Sequence, residues 1–276
     1  MKSIVNLFSG ILLLFSLASC NNFGKIQKSK DFQYKLVKAD EYFEKKKYNY
    51  AQQLYEELFP VYKGTPKFED IYYKYAYCFY YLGMYSNAEN LFKGYLEVFP
   101  NSKRAEEIDY MRAYSYYKQS PKIELEQVNT LKAMSMMQTF ISTHPGSARI
   151  KEATKIIDEA RAKLEIKDYR AAGLYYNLGH YRGAALAFAD LLNNYPESLK
   201  GEEYKLMVVK SYFKFAKLSV EEKQIERFEK VVNEYQDFEE RYPESKFLKE
   251  AKEISLLSNK NIKAIQNEQT TSPTGR

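Results

Sequence analysis

One spacing recurs five times along the chain: a small residue, an aromatic or Met four positions later, a large apolar residue at seven, and an aromatic-Pro pair at eleven and twelve. The segments are Ala51, Tyr55, Leu58 and Tyr62, with Lys63 in place of Pro; Ala88, Phe92, Tyr95 and Phe99-Pro100; Ala133, Met137, Phe140 and His144-Pro145; Ala184, Phe188, Leu191 and Tyr195-Pro196; and Val231, Tyr235, Phe238 and Tyr242-Pro243. Such offsets draw one stripe along a helix of 3.6 residues per turn, and Pro, which lacks a donor and clashes with the preceding turn, stops that helix. In the last four segments a Ser stands two residues after the Pro (Ser102, Ser147, Ser198, Ser245), where it is expected to cap the next helix. A Glu follows five residues on (Glu107, Glu152, Glu203, Glu250), where it suits the helix dipole. Upstream of each stripe another small residue marks a partner helix: Ala39, Ala76, Ala113, Ala172 and Ser211. In the third and fifth segments that residue lies further back, which predicts longer helix–helix loops around Ser120-Pro121-Lys122 and Ser219-Val220-Glu221-Glu222. One helix pair cannot bury its own apolar face, so the pairs must stack: the expectation is an all-α chain, an α-solenoid of five helix pairs over residues 31–258.

The pairing and its anchor residues resemble the tetratricopeptide repeat, although that repeat recurs every 34 residues or so and this array is irregular. Eleven Gly and eight Pro are too few for a turn-dense β sandwich. The polar end, residues 259–276, has no apolar stripe and is expected to be a disordered tail.

No catalytic constellation is present. Cys20, Cys78, His144 and His180 are too scattered for a metal site, no Ser lies in a Gly-x-Ser-x-Gly context, and no Gly loop could cradle phosphate. Neither metal nor soluble cofactor is expected, and the chain is not read as an enzyme. Its formal charge of +6 is spread along the sequence, which speaks against nucleic acid. Cys78, within Tyr75-Ala76-Tyr77-Cys78-Phe79-Tyr80, is expected to be core filling.

The beginning is an address. Lys2 precedes an apolar stretch from Leu7 to Leu17 that is short of the ~20 residues a membrane span needs and has the form of a secretory h-region. Leu17-Ala18-Ser19-Cys20 then resembles the bacterial lipobox. That resemblance implies a signal peptide over residues 1–19, a covalent N-acyl diacylglyceryl lipid on Cys20, and a lipidated linker over 20–30. A lipid-anchored chain facing the periplasm from the outer membrane is the expected location; Asn21 after the Cys agrees with it by the same resemblance.

Twenty-seven Tyr and seventeen Phe exceed what the 0/4/7 stripes consume. In tetratricopeptide folds the first helix of each pair lines the concave side, and positions −3, +1 and +4 from its small residue fall on one face. Here these are Tyr73, Tyr77 and Tyr80, then Tyr110, Tyr114 and Tyr117, then Tyr169, Gly173 and Tyr176, then Val208, Tyr212 and Phe215. Such a face is expected to form an aromatic groove for an extended peptide.

Five tetratricopeptide-like pairs close behind a lipobox, repeats ending Phe-Pro-Asn-Ser (99–102) and Tyr-Pro-Glu-Ser (195–198, 242–245), and a long insertion in the third pair together resemble the BamD family of outer-membrane β-barrel assembly lipoproteins. Lys63 and the heavy Tyr load depart from that family's pattern. The resemblance implies two partners: unfolded β-barrel precursors, and the periplasmic domains of a BamA-like barrel-forming protein. On it, Tyr73, Tyr77, Tyr80, Tyr110 and Tyr114 are the expected precursor contacts, and Tyr212, Phe215 and Arg227 the expected docking residues for the assembly protein. The alternative is a periplasmic tetratricopeptide adaptor for cell division or peptidoglycan machinery, but no heptad segment for trimerisation is present.

Overall fold

The computed structural model describes residues 23–271. The chain divides into two compact units, Met1–Ala160 and Arg161–Arg276, and every regular element among the described residues is helical. The first unit holds a helical turn α1 (residues 23–27), α2 (Phe32–Glu44), α3 (Tyr48–Tyr62), α4 (Phe68–Tyr81), α5 (Tyr85–Val98), α6 (Ala105–Lys118), α7 (Val128–Thr143) and the start of α8 (Ile150–Asn177). The second holds the rest of α8, α9 (Tyr181–Asn194), α10 (Gly201–Lys217), α11 (Glu221–Arg241) and α12 (Leu248–Thr271). Within each unit successive helices joined by short turns pack on one another, so neighbours run antiparallel.

The 0/4/7 stripes lie on α3, α5, α7, α9 and α11, and all of their residues are buried. So are the partner small residues Ala39, Ala76, Ala113, Ala172 and Ser211, which lets the paired backbones approach closely. The residue before each Pro, at 99, 144, 195 and 242, is the last to return its N–H to the helix it ends. Gly83 and Gly179 adopt positive φ in the turns of the second and fourth pairs, where an L side chain would be strained.

The serines do more than the spacing implied and sit elsewhere. The N-caps of α6 and α10 are Arg104 and Lys200. Ser102, Ser147, Ser198 and Ser245 instead accept the N–H two residues on, closing the turn that leads into each helix. Each hydroxyl then donates to a carboxylate on the preceding pair: Ser102 to Glu69 at 2.6 Å, Ser245 to Glu202 at 2.7 Å, Ser147 to Glu106, and Ser198 to Glu165. Hydrogen bonds from Ser102 and then Tyr95 hold the Glu69 carboxyl below its ordinary range.

Four boundaries differ from the sequence expectation. The stretch assigned to a linker includes α1, whose Phe23 and Ile26 are buried against the first pair. The polar tail is helical to Thr271. Its stripe (Ala251, Ser255, Ser258, Ile262, Ile265) keeps the helical period but uses two serines, so hydropathy hides it, and Ile262 and Ile265 pack with Ala216 and Phe228. In the fifth pair the extra residues lengthen α10 and α11 to 17 and 21 residues instead of forming a loop. Lastly, the expected single array is divided inside α8.

Gly94 on α5 sits where Tyr72 of α4 crosses: a Cβ there would overlap the Tyr72 hydroxyl oxygen. Tyr72 is itself wedged between Phe59 and Tyr95, with ring centres at 4.7 and 5.7 Å, so it cannot swing aside freely. Gly94→Ala is therefore expected to destabilise the first unit by about 1–3 kcal/mol despite its better helix propensity. Urea denaturation followed by circular dichroism measures this, and an unchanged or raised midpoint would contradict the crossing.

Candidate partner-binding surfaces

In the first unit the aromatic face is built by α4 and α6, the first helices of the second and third pairs. Tyr73 and Tyr77 both donate to Glu107 at the start of α6, Tyr73 at 3.0 Å. Tyr169 does the same to Glu203 in the second unit, and Lys210 reaches Glu250 at 2.7 Å. Three of the four Pro-x-Ser-x₄-Glu carboxylates, Glu107, Glu203 and Glu250, are thus acceptors for the preceding pair, a role beyond balancing the helix dipole. Burial first, then Glu107, pushes the Tyr73 hydroxyl up to about 12, and burial and the bond to Glu107 push Tyr77 higher still. Both remain neutral donors.

This bonding divides the expected groove. Tyr77 is 6% exposed and Tyr110 2%; both belong to the core of the first unit and are not open to a ligand. The reason is geometric: Tyr77 packs edge-on against Phe92 at 5.3 Å and Tyr110 against Phe140 at 5.5 Å, both stripe residues. Tyr73, Tyr80 and Tyr114 are half-buried. Tyr73 carries the Arg104 guanidinium 4.2 Å above its ring, whereas Tyr80 and Tyr114 face each other at 6.3 Å between neighbouring pairs. Tyr117 is next to Tyr114 at 5.5 Å and donates to Glu159 at 2.6 Å.

Sequence reasoning missed Tyr81. It is 49% exposed, stacks on Tyr48 at 4.4 Å and touches Tyr80 at 5.5 Å. Its signal was the Tyr80-Tyr81 doublet just ahead of the Gly83 turn. Tyr48, Tyr81, Tyr80, Tyr85 and Tyr114 form an unbroken run of ring contacts across three helix pairs.

The second unit brings together the three residues assigned to docking. Tyr212 and Phe215 on α10 and Arg227 on α11 line one cleft of about 390 Å³. The Arg227 guanidinium lies 4.1 Å from the centre of Phe215 and donates to Ser219; Lys230 stands 5.6 Å from the centre of Tyr212. Arg182 and Leu186 of α9 complete the far wall, and the sequence reading had not singled them out because they belong to the pair before. Lys230 is paired with Glu234 at 2.7 Å and Lys223 with Glu226 at 3.3 Å. Arg182 and Arg227 have no carboxylate at ion-pair distance among the described residues, so the cleft keeps two uncompensated guanidinium groups beside two rings.

Cys78 is fully buried, and burial pushes its thiol up to about 12, as expected of core filling and not of a nucleophile. His180 stands at the N-cap position of α9 without a side-chain capping bond; His144 stacks on Phe140 at 4.8 Å, 3.8 Å from Asp109. Among the described residues no helix is long and apolar enough to cross a membrane. Cys20 lies outside the described residues.

A sequence model of the outer membrane lipoprotein family YfiO matches residues 28–224. Curated proteins give no sequence match. Among solved structures, the chain is similar to the TPR2AB-domain:pHSP90 complex of yeast Sti1, at 12% identity and a TM-score of 0.38 over 83% of this chain and 98% of that one. It is also similar to the human IFIT1 dimer with PPP-AAAA, at 15% identity and a TM-score of 0.27 over 85% and 58%.

Proposed function

The chain belongs to the YfiO family of outer membrane lipoproteins, and from that premise we propose that it is a BamD-like scaffold of the β-barrel assembly machinery. It is held by lipid on Cys20, faces the periplasm, receives unfolded barrel precursors on its first unit and docks a BamA-like assembly protein on its second. The observation that carries this reading is the run of partly exposed rings from Tyr48 to Tyr114. An alternating precursor strand ending in an aromatic residue presents apolar side chains and unpaired backbone groups. Tyrosines with hydroxyls at the rim offer both ring faces and hydrogen bonds to such a strand. Of the residues assigned to precursor contact, Tyr73, Tyr80 and Tyr114 keep that role, Tyr81 joins them, and Tyr77 and Tyr110 support them from beneath.

The docking cleft offers an acidic, apolar-tipped segment two guanidinium groups and the rings of Tyr212 and Phe215. The role proposed is binding and positioning, without catalysis. Depletion tests it: folded barrels should disappear from the outer membrane before growth stops. Cell chaining with barrel content unchanged would overturn the reading and favour a division adaptor.

A further inference from the structure

We infer that the edge of the first unit formed by its intra-pair turns lies against an anionic lipid surface. This rests on the reading of Cys20 as the lipid anchor. Only Asn21 and Asn22 separate Cys20 from Phe23, a reach of about 11 Å at most. Phe23 and Ile26 are buried, with the Phe23 ring 4.5 Å from Tyr50 and 5.8 Å from Tyr42. Those two tyrosines flank the turn joining α2 to α3. Acyl chains on Cys20 therefore hold that turn at the bilayer, with no slack linker between.

The chemistry of the edge fits headgroups. Lys25, Lys45, Lys46 and Lys47 are exposed around the docked Phe23. Lys45 is within 3.9 Å of Glu41; Lys25, Lys46 and Lys47 have no carboxylate at ion-pair distance among the described residues, and Glu44 is the other acid at this turn. Because neighbouring helices are antiparallel, the turns between α2 and α3, α4 and α5, and α6 and α7 share this edge. On the second and third of these turns Leu82, Met84, Leu125 and Val128 are exposed. Lysines beside aliphatic side chains suit a membrane–water interface. An anionic surface attracts each nearby lysine measurably. A protein partner would also cover this edge, but the anchor places lipid there first.

The test uses the lipidated, purified protein in vesicles of zwitterionic lipid with and without phosphatidylglycerol, and reads lysine acetylation rates by mass spectrometry. Lys47 and Lys63 cap opposite ends of α3, about 22 Å apart, so one helix supplies probe and control. Anionic vesicles should slow Lys46 and Lys47 by about fivefold, high salt should restore them, and Lys63 should not change. Equal rates at both ends, or slowing that ignores anionic lipid, would overturn the inference. The intact mass reads the anchor separately: acyl chains present with equal rates sinks this proposal alone, and their absence sinks the anchor and the proposal together.

Discussion

Lys205→Met should destabilise the second unit by about 3 kcal/mol. Lys205 is buried on α10 and forms ion pairs with Glu234 and Asp237 of α11. Removing one partner of a buried pair leaves charge without compensation, which costs roughly 3–5 kcal/mol. The lower end applies because Glu234 keeps Lys230 at 2.7 Å and Asp237 keeps Arg241 at 2.8 Å. Burial opposes ionisation of both carboxyls, but the bonds from Lys205 and the second cation outweigh it and hold both below their ordinary values. A carboxyl whose folded pKa is depressed stabilises the fold above the unfolded value and loses that contribution as pH falls through the folded one. The gap between wild type and variant should thus be full at neutral pH and shrink below pH ~4. Urea denaturation across that range measures it; a gap that is absent, or constant with pH, would contradict the network.

The double reversal Arg182→Glu with Arg227→Glu should weaken capture of the assembly protein's periplasmic domains by about a hundredfold or more, mostly through faster dissociation. On the proposed docking, both guanidinium groups stand in the cleft without carboxylate partners of their own, so an acidic segment would meet two attractive charges in the wild type and two repulsive ones in the variant. Circular dichroism should stay unchanged, because neither side chain holds an ion pair of the fold; Arg227 gives up its contacts to Phe215 and Ser219. Undiminished capture at moderate salt would remove this cleft from the docking surface.

Periodicity made the helices legible. Ala88, Phe92 and Tyr95 stand for every pair: spacing alone put them on the buried face, and the Pro that follows fixed where the helix stops. What spacing supplies is azimuth, and depth is set by the neighbouring pair. Tyr77 and Tyr114 occupy the same +1 position, yet Tyr77 is core and Tyr114 is half-exposed, because Phe92 stands over the first. The Ser–Glu ties were hidden for a related reason. Ser102 and Glu69, or Ser245 and Glu202, are remote in sequence, and only stacking brings them within 2.6–2.7 Å. The run of the last helix past residue 258 escaped notice because Ser255 and Ser258 occupy stripe positions that hydropathy counts as polar, although both are buried. Tyr212, Phe215 and Arg227 line one cleft because they lie on consecutive helices; Arg182 comes from the pair before and needed the fold.

Site-specific photocrosslinking from positions 80 and 114, with position 77 as the buried control, tests the central claim most directly. The account predicts adducts with unfolded barrel precursors from Tyr80 and Tyr114, lost when the precursor's terminal aromatic residue is removed, and none from Tyr77. Adducts absent from 80 and 114 while precursors are crosslinked elsewhere on the chain would contradict it.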